Sequence, residues 1–325
     1  MKRYEFTLRP LSDFGTALKG DTLFGCFCWQ VAYDRALVEG GLNEAIKGYA
    51  QKPFAVFSSA FLKIEASVPT YVLKRPDMPL SRIFPAKGED RKSRYEELKE
   101  LKSRRWMVVE KTLAVNLKEA RFVNGDELRK EFGASPVLPS SRPHNTINRT
   151  TFSTGSGAFA PYEMETFCYT PDSNLAVVVL VDEDLTTAEE IRKGLERIGR
   201  FGFGRDASIG LGRFHVVDCQ EIPTPELSET DGFYTLAPCV PESGKYKRAF
   251  FSPFIRFGKH GDRLARGGVP FKNPVIMADE GSVFFKDANR TFDKPYIGKA
   301  VEGVSKIQET TVVQGYSPYL PITLE

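Results

Sequence analysis

The chain has 325 residues, with 45 lysines and arginines against 42 aspartates and glutamates, a formal net charge of +3 and 25 phenylalanines. At roughly 150 residues per domain this is chain enough for about two domains with cores of their own. So many aromatic rings exclude a disordered or low-complexity chain, because only their burial offsets the entropy of ordering.

The N-terminal MKRYEFTLRP interleaves charges with its apolar residues, which is not the pattern of a signal peptide. The longest aliphatic run, Leu175 to Val181, is too short to span a bilayer. A soluble, cytoplasmic protein with no membrane partner is expected. Cys26, Cys28, Cys168, Cys219 and Cys239 form no CxxC pair, and His144, His215 and His260 are scattered, so buried thiols are favoured over a zinc site. No cofactor or metal is expected.

In chain order, Lys2 to Arg9 places Tyr4, Phe6 and Leu8 on one side, the pattern of a half-buried strand. Gly20 to Asp34 carries Phe24, Phe27 and Val31 at helical spacing, with Gly20 or Asp21 placed to cap it. A short helix is predicted over Leu42 to Tyr49, a strand over Phe54 to Leu62 and an extended segment over Val68 to Leu73. From Pro85 to Pro143 the texture turns polar. Arg91, Lys92, Arg94, Lys99, Lys102, Arg104 and Arg105 surround Glu96, Glu97 and Glu100, which reads as an insertion outside the core, with Glu100 and Arg104 spaced as a helix pair.

Order resumes with strands over Tyr162 to Tyr169 and Leu175 to Val181, the latter central by its β-branched content. Thr187 and Glu190 form a capping box for a helix with Ile191, Leu195 and Ile198 on its apolar stripe, ending near Gly199. A glycine-rich segment, Gly202 to Phe214, leads to a strand through Val216 and Val217. Strand, helix, strand, strand, helix, strand is the ferredoxin-like, RRM-like order of an α+β fold. Gln220 to Gly232 is linker-like. Strands are then predicted over Phe233 to Ala237, Arg248 to Phe257, Pro274 to Ala278, Ser282 to Phe285 and Thr311 to Gln314. The domains expected are 1–220, with a basic thumb-like insertion at about 86–148, and a smaller one at 232–325.

Within GFGRDASIGLGRF, Gly202, Gly204, Gly210 and Gly212 flank Arg205 and Ser208, with Arg213 following. Such a loop can bring backbone N–H groups to phosphates while arginine adds charge-assisted hydrogen bonds. It is neither a Walker loop nor a dinucleotide fingerprint, since it joins a helix to the next strand. A tight structural loop has the same composition, and both readings stand. RPHNTINRTT supplies Arg142, His144, Asn145, Arg149 and Thr150, which suit phosphate, 2′-hydroxyl and base contacts and equally suit a solvated loop. Asp13 and Asp21 bracket the loop after the first strand and could hold a metal, but structural roles are favoured. His144 or His215 could act as a general base, with no orienting partner in the sequence. The segment Arg256 to Arg266 reads as an RNA-groove extension or a mobile surface loop, and Phe250, Phe251, Phe254 and Phe257 as core.

GDTLFGCFCW, HNTINRTT, GFGRDASIGLGRF, EGSVF and VVQGYSPYLPI, in this order, resemble the RAMP superfamily of CRISPR effector subunits. Within it they are most similar to the type III-A Csm-complex subunits that cap the crRNA 5′ end in antiviral defence. The resemblance implies tandem ferredoxin-like domains with a thumb, no catalytic activity, and binding of the crRNA 5′ handle. It implies as partners a large signalling subunit and the backbone subunits. It places Gly202, Gly204, Arg205, Ser208, Gly210 and Gly212 along the handle and Arg142, His144, Asn145 and Arg149 near the thumb base. The open face of the ferredoxin-like sheet, the glycine loop and the thumb would together grip the RNA. Two positions depart from the pattern: Asn148 precedes Arg149 where related subunits often have Asp, and Asp13 or Asp21 lies where backbone paralogues carry a cutting aspartate. The alternatives are a crRNA-processing endoribonuclease using His144 or His215, and the equivalent subunit of a Cmr-type complex.

Overall fold

The computed structural model describes residues 1–65, 68–84, 91–110, 114–227, 230–287 and 292–324, and the side chains of 91–94 are outside the described set. The start of the expected insertion, residues 86–90, and the side chains of Arg91, Lys92 and Arg94 therefore lie outside the described residues.

The first half opens with strand β1 (Lys2–Pro10), helix α1 (Gly20–Tyr33), the short helix α2 (Leu42–Lys47), and strands β2 (Ala55–Phe57), β3 (Phe61–Ile64) and β4 (Thr70–Lys74). The region read as a polar insertion holds helices α3 (Leu80–Ile83) and α4 (Arg91–Ser103), strands β5 (Trp106–Glu110), β6 (Val115–Asn116) and β7 (Arg121–Val123), helix α5 (Gly125–Phe132) and the hairpin β8 (Leu138–His144) with β9 (Tyr162–Cys168). The half closes with β10 (Asn174–Val181), helix α6 (Ala188–Phe201) and β11 (Phe214–Glu221). Its antiparallel sheet runs β11-β1-β10-β3-β4-β5-β7, with β2 also on β10. The four-strand nucleus, β11-β1-β10-β2/β3 with α1 and α6 as crossovers, has the ferredoxin-like order expected from the sequence.

The second half contains β12 (Gly232–Thr235), β13 (Tyr246–Phe250), β14 (Pro253–Arg256), β15 (Val275–Ala278), β16 (Val283–Lys286), β17 (Tyr296–Gly298) and β18 (Tyr316–Thr323). Its main sheet runs β13-β16-β12-β18-β17. Counting β12, β13, β16 and β18 as first to fourth gives spatial order 2-3-1-4, again ferredoxin-like. Among the described residues the crossovers hold no α-helix, only a 3-10 turn at Asp262–Arg266.

Two layers of core explain why so much of the chain is apolar. Phe6, Leu8, Phe24, Phe27, Val177, Val179, Leu195 and Ile198 fill the space between the first sheet and helices α1 and α6. Tyr71, Met107, Ala176, Val178, Tyr234, Phe285, Leu320 and Ile322 fill a second layer between the two sheets. Every residue of β10 is buried, as a strand covered on both faces must be.

The same sandwich overturns the half-buried reading of β1. Arg3, Glu5 and Thr7, on the face opposite Tyr4, Phe6 and Leu8, are buried beneath the second half. The Glu5 carboxylate accepts from Lys63 Nζ at 2.8 Å, Tyr71 OH at 2.7 Å and Gln220 Nε2 at 3.1 Å, so the buried charge is paired and hydrogen-bonded. Arg3 has Nε and Nη2 without a partner among the described residues, and burial pulls its pKa down to about 10.

Other departures have local causes. The segment Phe54 to Leu62 breaks at Ser58–Ala60, because the Ser59 N–H donates to Leu236 O and the Ala60 N–H to Leu18 O instead of continuing the ladder. The insertion is not wholly outside the core: β5 and β7 extend the first sheet, Met107, Phe122 and Leu128 are buried, and Val115 of β6 pairs in parallel with Ile322. Glu100 does meet Arg104, at 3.2 Å.

Helix α1 is preceded by Lys19 with no side-chain cap, so Asp21 does not cap it. Thr187 caps α6 by accepting from the Glu190 N–H, while Glu190 faces Lys193 rather than closing a box. Gly199 lies inside α6 because a Cβ there would stand 2.2 Å from Phe214 O; the helix runs on to Phe201. Arg248 to Phe257 splits at Ser252, whose N–H donates to Asp77 Oδ2 and whose carbonyl accepts from Asp279 N–H. The last strand is β18, not Thr311 to Gln314. Its Pro318 and Pro321 argue against a central strand, yet Pro318 O still accepts from Leu236 N–H at 3.0 Å.

Candidate nucleic-acid interface

Three segments distant in sequence meet at one edge of the first half. The chain leaving β1, residues 11–16, lies between the glycine-rich loop and the β8–β9 hairpin. On the loop side, Leu11 N–H donates to Arg213 O at 2.8 Å, Gly212 N–H to Asp13 O at 2.7 Å, Arg213 N–H to Ser12 Oγ at 2.9 Å and Arg205 N–H to Thr16 Oγ1 at 3.0 Å. On the hairpin side, Phe14 and Phe167 exchange backbone hydrogen bonds of 2.8 Å each. Two guanidinium groups close the junction: Arg142 places Nε and Nη2 on Asp13 Oδ2 at 3.0 and 2.8 Å, and Arg205 donates from Nη2 to Glu165 O.

The glycines shape this loop. Gly204 and Gly212 have φ of +76° and +74°, and a Cβ would stand 2.6 Å from Thr16 Cβ at the first and 2.1 Å from Phe203 O at the second. Left-handed backbone and close approach both require glycine there. The loop also folds on itself, with Phe203 N–H on Gly212 O and Leu211 N–H on Asp206 O. Most of its amides are thus committed internally. Arg205, Ser208, Gly210 and Arg213 are exposed.

Beyond Arg142 the hairpin continues to His144, whose ring stacks on Tyr162 at 5.5 Å and 17°. Asn145, Arg149 and Thr150 follow on an exposed turn, where Asn148 Oδ1 accepts from Thr150 N–H at 2.9 Å. Asn148 thus has a local turn-forming role. The structure joins the glycine loop, Arg142 and Arg205 in one cluster, and sets Asn145, Arg149 and Thr150 on the turn that the hairpin carries away from it.

The same turn exposes residues that the sequence reading passed over. Phe152 is 85% exposed at φ +53°, a conformation rare for an aromatic residue, and Ile147 and Tyr162 are exposed beside it. The signal was their position next to the polar run, masked by the expectation that aromatic rings bury. Thr16 and Glu165, which anchor Arg205, gave no signal because their partner is remote in sequence.

The candidate metal carboxylates are otherwise engaged. Asp13 holds Arg142, and buried Asp21 takes both arms of Arg256 at 2.5 and 2.7 Å, tying the halves together. No cluster of three or more metal-ligating side chains exists among the described residues. His215 is exposed on β11 opposite Arg9.

One expectation fails outright. The open face of the first sheet cannot grip RNA, because the second sheet covers it with Tyr234, Leu236, Leu320 and Ile322. Whatever binds must use the loop edge and the hairpin. The four phenylalanines assigned to the core also fail in part: Phe251 and Phe257 are exposed, and Phe254 is sandwiched by Lys19 at 4.6 Å and Arg256 at 4.7 Å.

Two ferredoxin-like sheets packed face to face, with a hairpin rising beside the glycine loop, define the fold of this chain. Over 99% of both chains it is similar to a chain of the Csm3-Csm4 subcomplex in the type III-A CRISPR-Cas interference complex, with a TM-score of 0.57 at 15% identity. It is likewise similar to chains of the Csm1-Csm4 cassette in complex with cA4 (TM-score 0.56, 18% identity, 99% of each chain) and with pppApA (TM-score 0.54, 18% identity, 100% of this chain and 99% of that one). Csm4 is the component named in all three. No protein-family model and no curated sequence matches the chain. No helix among the described residues is long and apolar enough to cross a membrane.

Proposed function

We propose that this chain is a non-catalytic subunit of a type III-A CRISPR interference complex, binding the 5′ handle of crRNA and joining a large subunit to the backbone subunits. The observation that carries this reading is the convergence of Arg142, Arg205 and Arg213 with the glycine loop at one exposed edge, beside a hairpin ending in the His144–Tyr162 stack. Guanidinium groups suit phosphates, and exposed rings suit unpaired bases. The partner assignment draws on full-length likeness to chains solved in Csm1-Csm4 and Csm3-Csm4 assemblies.

The test is binding of repeat-derived 5′-handle RNA across a salt series. Affinity should fall steeply with salt, as phosphate neutralisation requires, and Arg205→Ala with Arg213→Ala should weaken it about tenfold or more. Unchanged affinity in that double variant would remove the loop from the interface. Specific cleavage of repeat RNA, lost on substitution of His144 or His215, would replace the binding subunit by an endoribonuclease.

A further inference from the structure

The hairpin of β14 and β15 stands apart from both main sheets and turns an apolar face outward. Strand alternation sends Phe254, Arg256, Val275 and Met277 toward the protein and Ile255, Phe257 and Ile276 away from it. Ile255 and Ile276 are directly opposed in register. Exposure reaches 48% at Ile255, 71% at Ile276, 72% at Phe257 and 63% at Phe271, with Phe251 and Val269 also exposed. Scattered single apolar residues are ordinary on a surface, but six from one hairpin and its loop form a patch of the kind that marks an interaction site. Moreover, among the described residues β14 pairs with β15 alone and leaves its outer edge open along most of its length.

The rim is strongly charged. Between positions 246 and 278 the sequence has Lys247, Arg248, Arg256, Lys259, Arg263, Arg266 and Lys272 against the single acid Asp262. Arg256 is committed to Asp21. Lys247, Arg248, Lys259, Arg263 and Arg266 are exposed and in no ion pair among the described residues. An apolar centre with an unneutralised basic rim fits a surface of opposite sign with an apolar ridge of its own.

We infer that the β14–β15 face is a protein-docking surface, and that its occupant is an acidic-rimmed, apolar surface of another subunit in the complex proposed above. The inference rests on that reading for the identity of the occupant. Protein is favoured over RNA by the centre of the patch: Ile255, Ile276 and Val269 offer neither a stacking plane nor a hydrogen bond to a base, and the Lys259 ammonium lies over the Phe271 ring at 5.8 Å.

The test purifies the complex from the native host through a tag on this chain, as wild type, as Ile255→Glu with Ile276→Glu, and as Phe257→Ala with Phe271→Ala, the second pair guarding against misfolding in the first. Subunits are identified by mass and RNA by sequencing. The variants are expected to lose one protein subunit at least tenfold while keeping RNA. The subunit lost, once purified, should bind wild type with an association rate that falls with salt and with Lys259→Glu and Arg263→Glu. RNA lost with all subunits kept would assign the face to nucleic acid and overturn the proposal, as would no change in either. Wild type that carries RNA but no protein partner would also overturn it while leaving the RNA-binding reading intact. An acidic subunit recovered without RNA and released by the variants would support docking and overturn the RNA-binding reading instead.

Discussion

Arg142 and Arg205 each carry a structural contact and an exposed charge. Arg142 pins Asp13, and Arg205 pins the Glu165 carbonyl and pairs with Asp206, so the arms that hold the loop edge together are also its exposed guanidinium groups. Arg142→Lys should therefore weaken handle binding while Asp13 keeps a monodentate partner, since lysine cannot reproduce the planar fork; Arg142→Ala should weaken it further. Fluorescence anisotropy with the handle RNA measures both, and equal affinity in all three proteins would show that Arg142 is structural alone. Gly212→Ala sets a Cβ 2.1 Å from a backbone oxygen at φ +74°, and should cost about 2 kcal/mol or more in urea unfolding. At this scale the sequence was informative about residue type and poor about partners. The glycine loop and RPHNTINRTT could be picked out by composition. That Asp13 would meet Arg142, or Thr16 the Arg205 amide, could not, because these contacts join positions 129 and 189 residues apart.

Elements with a clear signal of their own were legible: α1 and α6 lie where helical spacing puts them, and β10, covered on both faces, where its β-branched run puts it. The largest errors share one cause, the second sheet. It buries Arg3, Glu5 and Thr7, which alternation assigns to solvent, and it takes up Ser59, which breaks a strand that looked continuous. It also tolerates two prolines in β18 because that strand's carbonyls still accept. The Glu5 cluster follows from this burial. Glu5→Gln would leave Lys63 buried without its counter-charge, a loss of about 3 to 5 kcal/mol, whereas Glu5→Leu with Lys63→Met should recover much of it. Thermal melts of the single and double variants decide the matter; a double variant no better than the single would show that the network is needed for more than charge balance. In the helical layer, Phe27→Ala should cost about 3 to 5 kcal/mol, since its fully buried ring lies against Phe57 and Gly194.

The two halves are joined by buried charge as well as by apolar surface. Lys19 Nζ reaches Asp279 at 2.5 Å and Glu280 at 2.6 Å, and Arg256 reaches Asp21. Burial opposes the Lys19 ammonium, but Glu280 and Asp279 together outweigh it and hold its pKa above the ordinary 10.5. A raised pKa on a base stabilises the fold fully below 10.5, and that contribution disappears as pH rises through the folded-state value. The melting-temperature advantage of wild type over Lys19→Gln should accordingly narrow above pH 10.5; an advantage constant through that range would remove Lys19 from the linkage.

The net charge of +3 misleads because it is an average. At the loop edge Arg142 and Arg205 are paired with Asp13 and Asp206, whereas around the β14–β15 face exposed cations gather without such partners, so that second surface is far more basic than the total suggests. The most direct measurement of what those surfaces serve is the sequence of RNA that copurifies with the tagged chain from its host. The account expects small RNAs of differing 3′ sequence that share one repeat-derived 5′ end, recovered with a large multidomain subunit and lost on Arg205→Ala with Arg213→Ala. Recovery of no RNA, or of RNA with unrelated 5′ ends, would contradict it.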